Sequence, residues 1–97
     1  MRLAIHKSAL AELDLISIWE YSLGQWDAAQ ADKYLDELDK GISALANNPE
    51  LGVTRDAVRA GYRALFINNH AVYYTIGQSA IVVIRVLHEG MDPGRHL

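Results

Sequence analysis

The sequence predicts an α+β protein of two layers, ordered β-α-α-β-β-β, with a helical hairpin packed on one face of a mainly antiparallel four-stranded sheet. Three observations carry this. Residues Ile81–His88 are dense in β-branched side chains, which pack well on a pleated surface, and both alternating sets are mostly apolar. A strand that is apolar on both sides is ordinarily central and covered twice. Two long segments before it have helical periodicity, and two shorter strand-like runs, Tyr62–Ile67 and Ala71–Ile76, separate it from them.

Bulk properties narrow the class. The 97 residues fit a single domain, and the 51% apolar content suits a packed core rather than a disordered chain. Without cysteine, neither a disulfide framework nor a Cys-based zinc site is available. The opening Met1–Lys7 stretch has no signal-peptide pattern, and no segment approaches the roughly 18 apolar residues of a membrane span. A cytoplasmic protein with no membrane contact is expected.

The net charge of −3 is unevenly distributed: residues 1–50 hold four basic and nine acidic residues, residues 51–97 five and three. All five late basic residues are Arg (55, 59, 63, 85 and 95), and no Lys follows Lys40. An acidic chain is poorly suited to bind nucleic acid directly. Arginines suit bidentate pairing with carboxylates of another protein, the plainer alternative being a solvated face.

In chain order, residues 2–6 alternate and read as the first strand. Ser8 can cap a helix to about Leu23, with Glu12 and Asp14 near its positive end. Ala9, Leu13, Ile16 and Leu23 form one stripe of it, which Leu15, Ile18 and Trp19 widen. That width suggests contact with both a sheet and a second helix. After Gly24-Gln25-Trp26, Asp27 and Gln30 resemble a capping box. The second helix has the cleaner period: Ala31, Leu35, Leu38, Ile42 and Leu45 inward, with the acidic run on a solvated face. Asn47-Asn48-Pro49 ends it, because the residue before proline avoids helical geometry. Residues 50–61 read as a loop.

Three-residue turns at Asn68–His70 and Gly77–Ser79 set the expected register, with Ile67 opposite Ala71 and Ile76 opposite Ala80. Ala64, Phe66, Val72, Tyr74, Ile76, Val82, Ile84 and Val86 then face the helices. The odd-numbered residues, Arg63, Leu65, Ile67, Tyr73, Thr75, Ile81, Val83, Arg85 and Leu87, form the other face. Two helices cover one face of such a sheet, so the odd face is expected to be open and to meet a partner.

Chemistry-bearing motifs are sparse. His6, His70, His88 and His96 have no metal-ligand spacing, and the seven glycines are scattered singly, with no phosphate loop. No nucleophile motif stands out, so no catalytic residue, metal or cofactor is assigned. His88 has the reference pKa of a general base, but a strand-end histidine bonded to backbone is the plainer reading.

Several segments resemble the RelE/ParE superfamily of type II toxin–antitoxin toxins. Ala11–Tyr21 looks like the opening helix of the ParE branch, and Asn48-Pro49-Glu50-Leu51-Gly52 resembles its Pro-x-x-Gly loop. Arg59–Arg63 and His70–Tyr74 resemble its second and third strands; Ile84–His88 with Met91-Asp92 resembles its closing strand and tail. Five segments in order cover nearly the whole chain.

The resemblance implies a toxin held inactive by a ParD-like, ribbon-helix-helix antitoxin, with operator DNA reached only through that antitoxin. It also implies DNA gyrase as target, and a first strand lying beside the last. RelE-type relatives instead cut ribosome-bound mRNA, which requires cations for the phosphate. By motif position Arg63 and Arg85 resemble two arginines of that set, but its lysines before the third strand and its Tyr near the C-terminus have no counterpart, since no Lys follows Lys40 and no Tyr follows Tyr74. An inhibitory binding protein is therefore expected, ahead of a ribonuclease or an inactive relative kept for operon autoregulation. Arg63 and Arg85, with Leu65, Tyr73 and Val83 around them, are the expected antitoxin contacts; an internal ion pair with Glu89 or Asp92 is the alternative. His88, Met91, Asp92, His96 and Leu97 are the expected target contacts.

Overall fold

The computed structural model describes residues 2–97. Its elements are β1 (Ala4–Lys7), α1 (Ala9–Gln25), α2 (Ala28–Ala44), a 3-10 turn at Pro49–Leu51, β2 (Val53–Thr54), β3 (Arg63–Ile67), β4 (His70–Ile76), β5 (Ala80–His88) and a short helix α3 (Pro93–His96). The strands form one sheet in the order β1-β5-β4-β3-β2, parallel only between β1 and β5. The two-layer α+β architecture is as expected, and Ala80–His88 lies inside the sheet. There are five strands rather than four, because Val53 and Thr54 of the expected loop pair with Ala64 and Arg63.

The helix starts follow the sequence. The Ser8 hydroxyl accepts from the Ala11 N–H at 3.0 Å and donates to the Ile84 carbonyl at 2.7 Å, so one side chain caps α1 and fastens it to β5. The Asp27 carboxylate accepts from the Gln30 N–H at 2.8 Å and begins α2. Trp19 Nε1–H donates to Asp32 across the hairpin at 2.9 Å, giving α1 its expected contact with the second helix. On α2, Ala31, Leu38 and Ile42 are buried as their period predicts, as is Leu45 at its C-cap, while Leu35 is partly buried.

The expected register and the face assignment built on it are corrected. The β3–β4 turn has two residues, Asn68 and Asn69, and Ile67 pairs with His70 instead of Ala71. Asn68 makes this possible by adopting φ +53°, a region that Asn tolerates better than most residues. A one-residue shift reverses which side of β3 meets which side of β4. Leu65 and Ile67 therefore join Val72 on the helix side. Gly41 lets α2 settle there, since a Cβ at that position would overlap the Ile67 side chain.

A bulge in β5 makes a second correction. Tyr73 pairs with Arg85 but Tyr74 pairs with Val83, so Ile84 is the extra residue. Val83 and Val86 consequently both point into the helix-side core with Leu15, Leu38, Ile42 and Val72. Leu45, Tyr74 and Ile81 continue that core toward the other end of the sheet.

The opposite sheet face is not the open apolar surface expected of the odd-numbered residues. Ala64, Ala71, Tyr73 and Leu87 are buried there, with Leu97 of the tail packed against them. Arg55, from the segment between β2 and β3, lies over the Phe66 ring at 5.4 Å. The tail that carries α3 and the segment between β2 and β3 roof parts of this face.

Candidate functional site: a groove beneath the first helix

Strand β1 pairs with β5 only as far as Lys7 opposite Val83, because Ser8 turns the chain into α1. Among the described residues, the remaining half of β5 has no strand beside it on that edge. Two side chains of the Ser8–Gln25 segment serve its backbone instead: the Ser8 hydroxyl takes the Ile84 carbonyl, and the Asp14 carboxylate accepts from the Val86 N–H at 2.9 Å. Beyond these contacts a groove of about 630 Å³ opens between α1, the second turn of α2 and the ends of β4 and β5.

Its walls are Ser17, Ile18, Tyr21, Ser22, Gln25 and Trp26 on one side and Tyr34, Asn69, His70, Val86, His88 and Met91 on the other, with Asp14 at its end. Aromatic rings run along it in series. Trp26 and Tyr34 have centroids 6.2 Å apart; Tyr34 and His70, then His70 and His88, meet edge to face at 5.5 Å. Tyr21 and Trp26 are more than half exposed and form the lip.

The polar groups of the groove are mostly committed. Asp14 accepts from Arg85 Nε at 2.7 Å and Nη2 at 2.9 Å, a bidentate pair whose side chains are each 16% exposed. The Asp14 hydrogen bonds hold the Arg85 guanidinium more firmly protonated than usual. The Tyr34 hydroxyl lies 2.5 Å from His70 Nδ1. Burial raises the Tyr34 phenol pKa. Burial, with a smaller push from His88, lowers that of His70, while Glu89 opposes the shift. His88 Nδ1 accepts from the Gly90 N–H at 3.1 Å, which favours the tautomer protonated on Nε2. Among the described residues, no Lys or Arg lines the groove. It suits apolar and aromatic side chains, and has no cation to stabilise a phosphate in flight.

The five residues expected to form one exposed antitoxin surface do not come together. Val83 is fully buried and Leu65 partly buried on the helix side, while Tyr73 is buried on the opposite face. The register shift and the bulge separate them. Arg63 braces the Pro49–Thr54 segment, donating to the carbonyls of Gly52 at 2.9 Å and Glu50 at 3.2 Å. Arg85 is internally paired as the alternative held, but with Asp14 of α1 rather than Glu89 or Asp92. Its Nη1 also donates to the His96 carbonyl at 3.0 Å, tying down the tail.

The expected target contacts divide as well. His88 and Met91 line the groove. The Asp92 side chain accepts from the Gly94 N–H at 2.9 Å and starts α3, and Leu97 packs on the opposite face. Sequence reasoning missed Tyr21, Trp26, Tyr34 and His70 as one site. The available signal was the three aromatic residues flanking the turn between the helices. Among the described residues, no three His, Cys, Asp or Glu side chains gather to hold a metal, and no helix is long and apolar enough to cross a membrane.

Comparison with known proteins agrees with this architecture. Residues 5–93 match the family model described as the ParE toxin of the type II toxin–antitoxin system parDE. The chain is 40% identical over 91 residues to Toxin ParE1 of Mycobacterium tuberculosis, covering 93% of each protein. It is 39% identical over 90 residues to Toxin ParE1 of Caulobacter vibrioides, again covering 93% of each. Among solved structures, the chromosomal ParDE system of P. aeruginosa superposes with a TM-score of 0.80 at 16% identity, covering 90% of this chain and 96% of that one. The RelBE2 toxin–antitoxin complex of Mycobacterium tuberculosis superposes with a TM-score of 0.67 at 17% identity, covering 91% and 99%. At those identities the structures speak for the fold, and the sequence matches speak for the family. The chain belongs to the ParE toxin family of type II toxin–antitoxin systems.

Proposed function

We propose that this chain arrests growth by binding and inhibiting a protein target in the cytoplasm, with DNA gyrase the candidate target. A cognate ribbon-helix-helix antitoxin neutralises it by laying an apolar segment into the groove beneath α1. The groove is the observation that carries this reading: a preformed apolar-aromatic trough beside a half-unpaired strand. The P. aeruginosa and M. tuberculosis neighbours, solved as a ParDE system and a RelBE2 complex, support an antitoxin partner. Operator DNA falls to the antitoxin, because a chain of net charge −3 is a poor ligand for phosphates.

The antitoxin contacts thus move to Ile18, Tyr21, Trp26, Tyr34 and His70. His88 and Met91, expected to meet the target, lie in the same groove. An antitoxin seated there blocks them, so neutralisation is competition for one surface. Trp26→Ala should weaken antitoxin binding at least tenfold, equivalent to about 1.4 kcal/mol. The deciding experiment is a gyrase supercoiling assay with the purified chain, run alongside a ribosome-bound mRNA cleavage assay. Inhibited supercoiling, relieved by the antitoxin, with intact mRNA is the expected outcome. Cleaved mRNA with normal supercoiling would replace this reading with a RelE-type ribonuclease.

A further inference from the structure

Helix α1 carries two apolar stripes on opposite sides. Ala11, Leu15 and Ile18 face the sheet, and Ser22 completes that row. Ala9, Leu13, Ile16 and Leu23, the stripe that reads most clearly in the sequence, faces away from it. Leu13 is 57% exposed, Ile16 54% and Leu23 38%, and Leu10 beside them is 54%. Scattered exposed leucines are ordinary, but a phased row along one helix is not. The groove does not account for it, since none of these residues lines it.

Charge identifies what suits this row. Glu20 stands in phase between Ile16 and Leu23 and is exposed. Along Ala9–Gln25 the charged residues are Glu12, Asp14 and Glu20, with no Lys, Arg or His. The ion pairs among the described residues leave Glu12 and Glu20 out. An apolar surface laid over the row would take the Glu20 carboxylate out of water, at a heavy cost unless a cation meets it. A second copy of this chain has no cation on the matching helix and would set acid against acid.

We propose that the outward row of α1 is a second docking surface, for an amphipathic helix of a partner protein whose apolar stripe carries a Lys or Arg at its centre to pair with Glu20. The surface is separate from the groove and independent of what fills it.

Two synthetic amphipathic helices of about 20 residues, identical except for Lys or Glu at the central and flanking positions, serve as probes. Each is titrated into the full-length, ¹⁵N-labelled chain and followed by amide chemical shifts. The Lys-bearing helix should move the Leu13, Ile16, Glu20 and Leu23 resonances and bind at least tenfold tighter than its Glu counterpart. Glu20→Lys should reverse that preference, and Leu13→Ser should weaken both probes; circular dichroism checks that these exposed substitutions leave the fold intact. Equal binding of the two probes, shifts confined to Trp26 and His70, or absence of binding would overturn the proposal. So would sedimentation equilibrium showing self-association that Leu13→Ser abolishes, since the occupant would then be a second copy.

Discussion

Asp14→Ala should be among the most damaging single changes outside the apolar core. The carboxylate receives three hydrogen bonds: two from the Arg85 fork at 2.7 and 2.9 Å and one from the Val86 N–H at 2.9 Å. Hydrogen bonds to a charged group contribute about 1.5–3 kcal/mol each, though not additively when they share an acceptor. Removing one member of a buried ion pair costs about 3–5 kcal/mol, because the other is left uncompensated. At 16% exposure the guanidinium retains some access to water, which places the expected loss near the lower end, about 3 kcal/mol. Against a usual total of about 5–15 kcal/mol this is severe. Asp14→Asn keeps an acceptor for Val86 and should cost about 1–2 kcal/mol. The double variant Asp14→Ala/Arg85→Met removes both charges and should be more stable than Asp14→Ala alone. Urea unfolding followed by circular dichroism reads all three. A loss below about 1 kcal/mol for Asp14→Ala, or a double variant equal to the sum of its singles, would refute the account of a buried, coupled pair.

Other expectations concern the Pro49–Thr54 segment and the histidines. Tyr74 donates to the Pro49 carbonyl at 2.6 Å and accepts from the Gly52 N–H at 2.9 Å, so Tyr74→Phe should cost about 1–3 kcal/mol in urea unfolding by leaving both unpaired. Gly52→Ala should cost a similar amount, about 1–3 kcal/mol, because its Cβ would sit 2.8 Å from the Ala64 carbonyl oxygen and 2.7 Å from the Tyr74 hydroxyl. His70 has a folded-state pKa below its ordinary 6.5, so near that pH the unfolded chain binds more protons than the folded one. Its contribution to stability is therefore full above about pH 6.5 and is lost as the pH falls through the lowered folded value. Thermal melts from pH 7.5 down to 5 should show the midpoint dropping, and His70→Gln should flatten that slope; an unchanged slope would remove His70 as its source.

The parts legible in the sequence were those set by local chemistry. Ser8 and Asp27 cap the helices as side-chain acceptors near a free N–H must, and Leu38, Ile42 and Leu45 are inward because their period leaves them nowhere else. The strand order around Ala80–His88 came from the family resemblance, and the parallel β1–β5 pairing agrees with it. The register was not legible. It turns on whether Asn68 takes a left-handed conformation, and on an extra residue at Ile84 that no local pattern marks. Those two one-residue choices decide whether Leu65 and Val83 are surface or core, and with them whether the residues expected to form one partner surface lie together. The stripe on α1 failed differently: its period was right, but periodicity cannot say which of two apolar rows meets the sheet.

The groove follows from a mismatch in length. β1 has four residues and β5 has nine, so a parallel partner that ends at Lys7 leaves the far half of β5 uncovered on one edge. An exposed strand edge invites unwanted pairing unless it is blocked. Here the block is partial: Ser8 and Asp14 occupy the nearer positions, the Val86 N–H among them, and the rest of the space is bounded by aromatic rings. A longer β1 would cover β5 and remove the groove. A weaker Asp14–Arg85 pair would free the edge and, through the His96 carbonyl, loosen the tail packed on the opposite face. The same carboxylate thus stabilises both sides of the sheet and sets where the groove begins. Substitutions at Asp14 should accordingly alter antitoxin binding and tail packing together, whereas those at Trp26, on the exposed lip, should alter binding alone.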